Sequence, residues 1–271
     1  MDEKTPILTQ PGVTSMQVPP ESVYGCPPGL EILSQVDQLF VEQMIDLIRG
    51  IFGGVNTLVT FSQRQKTRSL LISRLLFIVM TDFQTENRFV ISNAKGQQVY
   101  FAGETSECLQ RQCFKAARAF SMSIVDSYQR EVLHLERPLR CQGRCCPNCL
   151  QIMEVLGPDK SLLGFIKERY TCNEPVWHVN DANDVTQLII RGPCCCCICK
   201  WCSDTDYEIL SFDGATQVGR LVARWSDCAK ECYGKASGNF SISFPMDMSV
   251  QIKALLLASV FLINYMYYVY N

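Results

Sequence analysis

A mainly β chain, folded as a large antiparallel sandwich or barrel, is what the 271-residue sequence predicts. Three observations lead there. From Glu86 onward, short alternating apolar and polar segments recur about every ten to fifteen residues, the rhythm of strands joined by turns. RFVISNAKGQQVYF at 88–101 reads as two strands about a turn at Asn93 to Gly96, where Asn and Gly tolerate positive φ. Finally, the one strongly apolar segment, ALLLASVFLINYMYYV at 254–269, is the kind of element that a barrel can enclose.

The elements follow in order. Residues 1–26, rich in Pro, Ser, Thr and Gln, read as a short flexible leader. Within the hairpin and beyond it the period is two: AFSMSIVD at 119–126 puts Phe120, Met122 and Ile124 on one face. Further strands are expected at Glu131 to Leu135, Leu150 to Val155, Leu163 to Glu168, Val185 to Ile190, Tyr207 to Leu210, Val218 to Val222 and Phe240 to Phe244. The terminal segment, a helix over about 248–269, extends roughly 24 Å over its sixteen apolar residues, short of a bilayer core near 30 Å. It reads either as a borderline span with Tyr265, Tyr267, Tyr268 and Tyr270 as an interfacial belt, or as the buried centre of a globular protein. Between them, Arg64, Lys66 and Arg68 precede an apolar stretch, Leu70 to Met80, broken by Arg74. That segment reads as an interfacial helix or as an added segment that interrupts the first strands.

Composition narrows the function. A formal net charge of -2 argues against bulk attraction to nucleic acid, and no nucleic-acid partner is expected. No GxxxxGK[ST] stretch occurs, so ATP-driven transport has no support, and His134 and His178 lie in no catalytic motif. The acidic start MDEKTPILTQPG lacks a signal-peptide core, which makes disulfides the weaker account of the 16 cysteines. Most of those cysteines fall in RCQGRCCPNCLQ at 140–151 and GPCCCCICKWC at 192–202. Three readings stand for these clusters. Cys146 and Cys149 with Cys196, Cys199 and Cys202 have zinc-like CxxC spacing; clustered thiols suit thioester acylation at a membrane; isolated Cys108, Cys113 and Cys172 suit small buried thiols.

Six landmarks in order give the chain a resemblance to the phospholipid scramblase family: PPGLEILSQVDQLFV at 27–41, TENRFVISNAKGQQVYFAGE at 85–104, ERPLRCQGRCCPNCLQ at 136–151, GPC at 192–194, DTDYEI at 204–209 and NFSISFPMD at 239–247. The resemblance runs from about Pro27 to the end. It implies a tubby-like fold, a closed antiparallel barrel of about twelve strands around a C-terminal apolar helix, forming one domain over 27–271 with an atypical insertion at about 50–82. It further implies palmitoylation at Cys145, Cys146 and Cys149, although Arg144 and Asn148 stand where further cysteines are expected.

The family's acidic calcium loop corresponds here to ASGNFSISFPMD at 236–247, in which Ala236 and Gly238 replace aspartates. Ser237, Asn239, Ser241, Ser243 and Asp247 would make a weak calcium site, since calcium takes six to eight oxygens, usually with several carboxylates. Calcium binding is therefore expected to be weak or lost, and a strand leading into the helix is the main role expected of this segment. GRLVARW at 219–225 carries only Arg220 and Arg224 where some members have an import signal, and reads as a solvated strand edge. What the resemblance implies overall is a non-enzymatic lipid-translocating protein at the cytoplasmic face of the plasma membrane. It would have palmitate as covalent anchor and membrane phospholipids as partners, and would move them in both directions without ATP, under possible calcium stimulation. The alternatives are a membrane-tethered binding or regulatory module without scrambling activity, and a cysteine-bound zinc module.

Overall fold

The computed structural model describes residues 27–44, 86–140, 149–194, 204–224 and 239–269. They form twelve strands: β1 (Gln38–Met44), β2 (Arg88–Asn93), β3 (Gln98–Thr105), β4 (Phe120–Val125), β5 (Glu131–Arg137), β6 (Ile152–Leu156), β7 (Leu162–Arg169), β8 (Val176–Asp181), β9 (Thr186–Arg191), β10 (Thr205–Ser211), β11 (Gln217–Arg224) and β12 (Asn239–Ser243). Each pairs antiparallel with its sequence neighbours, and β1 pairs with β12 to close the barrel. Two helices complete it, the short α1 (Cys108–Phe114) and the terminal α2 (Val250–Tyr267). The insertion segment at 50–82 lies outside the described residues.

Five tight turns are built alike, which explains why the hairpins register as they do. At residues 93–97, 126–130, 157–161 and 181–185 the fourth residue has positive φ: Gly96, Gln129, Lys160 and Asp184; Gly214 plays the same part in the slightly longer turn after β10. Its amide donates to the carbonyl of the residue three before it in all five, for example Gly96 to Asn93 and Gly214 to Ser211. This is a type I turn followed by a left-handed residue, a geometry that adds a bulge to one strand. Register shifts sit beside each turn, between Ile91 and Ser92, Ile124 and Val125, Val155 and Leu156, Val179 and Asn180, and Ile209 and Leu210. Asn93, Asp126 and Asp181 reinforce three of the turns by accepting backbone N–H bonds from residues two and four further on.

The barrel wall alternates, and its inward face meets α2. Every residue from Lys253 to Tyr265 is buried. A helix apolar on all sides needs apolar surroundings on all sides, and the inward Phe89, Ile91, Met122, Leu135, Val155, Ile166, Val179, Ile190 and Ile242 supply them. Of the two readings of the terminal segment, the structure thus shows the buried one, with α2 as the core of the barrel. Ser249 caps the helix start by accepting the Ile252 amide. At Gly164 of β7 an added Cβ would collide with the Asn180 carbonyl oxygen of β8 and lie 3.0 Å from Leu255 Cδ1 of the helix.

Polar groups hold both ends of α2. At the entry, the buried Lys253 ammonium donates to the carbonyls of Leu33, Val36 and Met246 at 2.9 to 3.0 Å and lies over the Phe244 ring. Burial lowers its pKa, against the opposing pull of Asp37 and Asp247. At the far end, the Tyr265 hydroxyl donates to Glu104 Oε2 at 2.6 Å and accepts from Asn87 Nδ2 at 3.0 Å.

Several expectations from sequence need correction. β1, β8 and α1 were not among the expected elements. Closure leaves no sheet edge among the described strands, so Arg220 and Arg224 are not edge residues; they point outward from β11, Arg220 paired with Asp206 and Arg224 over the Phe40 ring. Cys108, Cys113 and Cys172 are exposed rather than buried, because α1 and the β7–β8 connection lie outside the wall.

Candidate functional site

Strict up-and-down topology sorts the connections by length. The five tight turns all fall at one end of the barrel, the turn end. All the longer connections leave from the other, the loop end: those of β1–β2, β3–β4, β5–β6, β7–β8, β9–β10 and β11–β12. The last turn of α2 reaches the same end, where Tyr268 bonds Tyr207 and Tyr267 packs edge-on against Trp177. Both cysteine clusters therefore start and finish at the loop end, although they are 50 residues apart in sequence.

A buried ionic layer seals this end of the lumen beneath the loops. Glu104, inward at the end of β3, binds Arg118 through both oxygens at 2.6 and 2.8 Å, and neither side chain is exposed. It also accepts from the Asn87 amide and the Ser106 hydroxyl. Burial pushes the Glu104 carboxyl up, but Arg118 and the Ser106 and Tyr265 hydroxyls outweigh it and hold the pKa below its ordinary 4.5. Tyr265 is stacked on Phe120 and lies beneath the Arg118 guanidinium.

The hairpin β6–β7 repeats the arrangement. Asn87 and Glu104 are seventeen residues apart, as are Gln151 and Glu168, and in each pair the first residue's amide binds the carboxylate of the second. Arg137 fills the role beside Gln151, donating to its amide oxygen and to the Ala116 carbonyl. Burial lowers the Arg137 pKa to about 10, with Arg118 adding to the effect. These contacts tie β3, β5, β7 and the terminal helix together across the loop end of the lumen.

The predicted site residues fall as follows. Cys145 and Cys146 lie outside the described residues, in the β5–β6 connection. Cys149, the last cysteine of that cluster, is disulfide-bonded, contrary to the weight given to disulfides from the sequence, and in that state its sulfur is not a thiolate. Cys196, Cys199 and Cys202 also lie outside the described residues, in the β9–β10 connection. The two connections are four strand spacings apart, roughly 19 Å along the wall. Among the described residues no group of three or more His, Cys, Asp or Glu is placed to hold a metal.

The calcium candidates are spread along a strand. Ser237 lies outside the described residues. Asn239, Ser241 and Ser243 alternate along the outer face of β12 while Phe240 and Ile242 point into the core. Successive same-face residues are about 6.7 Å apart, so Asn239 and Ser243 are separated by roughly 13 Å. Calcium–oxygen distances of about 2.3 to 2.6 Å do not let one ion take both. Asp247 is exposed on the turn leading into α2. The strand role expected of this segment is therefore what the structure shows.

Comparison with known proteins agrees with the fold and the landmarks. The Scramblase family model matches residues 58–270. Phospholipid scramblase 1 of Mus musculus is 36% identical over 258 residues, covering 95% of this chain and 69% of that protein. Phospholipid scramblase 2 of Bos taurus is 34% identical, covering 97% of this chain and 80% of that protein. Phospholipid scramblase family member 5 of Homo sapiens is 29% identical over 98% and 89%. No solved structure matches the chain.

Proposed function

The chain belongs to the phospholipid scramblase family, and from that premise we propose that it accelerates ATP-independent, bidirectional movement of phospholipids between leaflets at the cytoplasmic face of the plasma membrane. The observation that carries this reading is the match over nearly the whole chain to relatives named for that activity. Such movement requires no covalent chemistry, only a lower barrier for taking a polar headgroup through hydrocarbon. Thioester-linked palmitate at Cys145, Cys146 and Cys149 supplies the anchor, since two acyl chains hold a protein stably where one does so marginally. Cys149 must first be reduced, which cytosolic thiol buffers favour. Calcium stimulation through Asn239 to Asp247 is weak or lost in this reading, because the segment offers one carboxylate and its oxygens are strung along a strand.

A second reading has a specific observation in its favour. α2 fills the lumen and the ionic layer closes one end, so the barrel interior offers no polar track for a headgroup. This favours a membrane-tethered module that binds or regulates without scrambling. Purified protein in vesicles with fluorescent lipids, with the outer leaflet bleached chemically, separates the two with and without calcium. Faster loss of inner-leaflet fluorescence than in empty vesicles supports transport; equal rates at every calcium level leave the tethered module.

A further inference from the structure

We propose that the loop end of the barrel is a docking face for an anionic phospholipid surface, with the turn end facing away from it. The inference rests on the reading above in taking phospholipid as the partner. Exposed apolar side chains alone do not choose an end. Leu109, Phe114, Leu139 and Tyr170 are 45 to 76% exposed at the loop end, but Tyr128, Val185, Phe212 and Met246 are 54 to 71% exposed at the turn end. Charge makes the choice.

Of the twelve strand termini at the loop end, five are arginine: Arg88, Arg137, Arg169, Arg191 and Arg224. None is acidic. At the turn end the twelve corresponding residues include Glu131 and Asp181 and no base. The described connections at the loop end carry Glu86, Glu107, Glu174 and Asp204 against Arg111 and Arg140, with Glu86 paired to Arg111 and Glu174 to Arg191, so the terminal arginines leave that end basic. The turns add Asp159, Asp184, Asp213 and Asp247 to the other end, against Lys95 and Lys160 and the paired Asp126 and Arg130. An anionic leaflet thus attracts one end of the barrel and repels the other.

Placement around the rim makes the attraction usable. Arg137 is buried and Arg191 pairs with Glu174, leaving Arg88, Arg169 and Arg224 as the exposed members. They stand on β2, β7 and β11, which divide the twelve-strand circle into arcs of three, four and five strands. Three charges so distributed meet a flat surface together, and guanidinium is the side chain best shaped for phosphate. The apolar side chains follow the rim from the arc between Arg88 and Arg169 to just past Arg169. Leu109 and Phe114 belong to the β3–β4 connection, Leu139 to β5–β6 and Tyr170 to β7–β8, which neighbour one another along the rim. Arginines at headgroup level with Leu, Phe and Tyr beside them are the composition of an interfacial contact.

The test uses the full chain, made without acyl chains and kept reduced, in flotation with phosphatidylserine-containing or pure phosphatidylcholine vesicles. Partition into the anionic vesicles is expected to exceed partition into the neutral ones and to fall with salt. The triple variant Arg88→Gln, Arg169→Gln, Arg224→Gln should lose roughly fivefold per arginine, about a hundredfold in all. A triple serine variant at Tyr128, Val185 and Phe212 should bind as the parent does. Equal losses from both variants, or no loss from the arginine variant, overturns the proposal. Hydrogen exchange on the unmutated protein gives an independent reading, with vesicles slowing exchange at 106–114 and 138–140 but not at 126–130 or 212–216; protection at the turns instead overturns it. Docking by the loop end without lipid movement would end the transport reading alone, and lipid movement without protection of the loop end would end this one alone.

Discussion

Removing the charge of Glu104 is expected to be among the most damaging conservative changes in the barrel. In Glu104→Gln the side chain keeps its size and one acceptor, but Arg118, with no exposed side-chain surface, loses its counter-charge. Breaking a buried ion pair by neutralising one partner typically costs about 3 to 5 kcal/mol, because the remaining charge is left uncompensated. For a domain of this size each kcal/mol lowers the melting temperature by about 2 to 4 °C, so a fall of about 6 to 20 °C is expected. Far-UV circular dichroism on heating measures it. The pH dependence supplies a signature that mere loss of packing does not have. Glu104 has a folded pKa below its ordinary 4.5, so its stabilisation is complete above that value and is lost as pH falls through the folded pKa. The gap between the parent protein and Glu104→Gln should therefore narrow below about pH 4.5. A variant within about 1 kcal/mol of the parent at neutral pH, or a gap that does not change on acidification, would refute the role given to this pair.

Three further outcomes follow from the packing. Lys253→Met should destabilise by about 2 kcal/mol in urea titration, because the Leu33, Val36 and Met246 carbonyls lose their shared donor while an apolar side chain relieves the cost of burying a charge. Gly164→Val should cost at least about 3 kcal/mol or prevent folding, since its Cβ would occupy space held by the Asn180 carbonyl and press on Leu255; a soluble, parent-like melt would contradict this packing of β7 against β8 and the helix. Calcium titration by calorimetry should show no micromolar binding that depends on Asp247, and such binding abolished by Asp247→Ala would overturn the reading of that segment as a strand.

What could be read in the sequence was whatever is written locally. The hairpin at 88–101 was legible because Asn93 and Gly96 carry the turn and the flanking residues alternate. β4, β5 and β7 were legible for the second of these reasons. β1 was not, because Leu39, Phe40 and Val41 form a continuous apolar run in which Phe40 in fact faces outward beneath Arg224. α1 was missed because seven residues are too few for a helical period to emerge. The number of strands and the central helix followed from family resemblance, not from periodicity. The Glu104–Arg118 pair had no local signal, since it joins residues fourteen apart whose meeting depends on barrel register and on a connection folding back over the rim. The exposed cysteines are misread for a related reason: the tendency of free cysteine to be buried holds where its element packs into a core, whereas Cys108 and Cys113 lie in α1 and Cys172 in a connection, both outside the wall.

Where lipid could cross is constrained by the terminal helix. Moving α2 from the barrel into a bilayer would gain little for its own apolar side chains, because lipid tails are about as apolar as the residues it already touches. The wall would lose heavily. Emptying the lumen would give water access to Leu39, Phe89, Ile91, Met122, Ile166 and Ile190 among others, each costing about 1.5 to 3 kcal/mol, and would strand the polar partners of Lys253 and Tyr265. The sum far exceeds the stability of an ordinary domain. If the chain moves lipid as proposed while keeping α2 in place, it must act from the outside of its barrel. Hydrogen exchange decides the point: amides from Leu255 to Ile263 should stay as protected with vesicles as without, and their release on membrane binding, with scrambling retained, would show that the helix leaves.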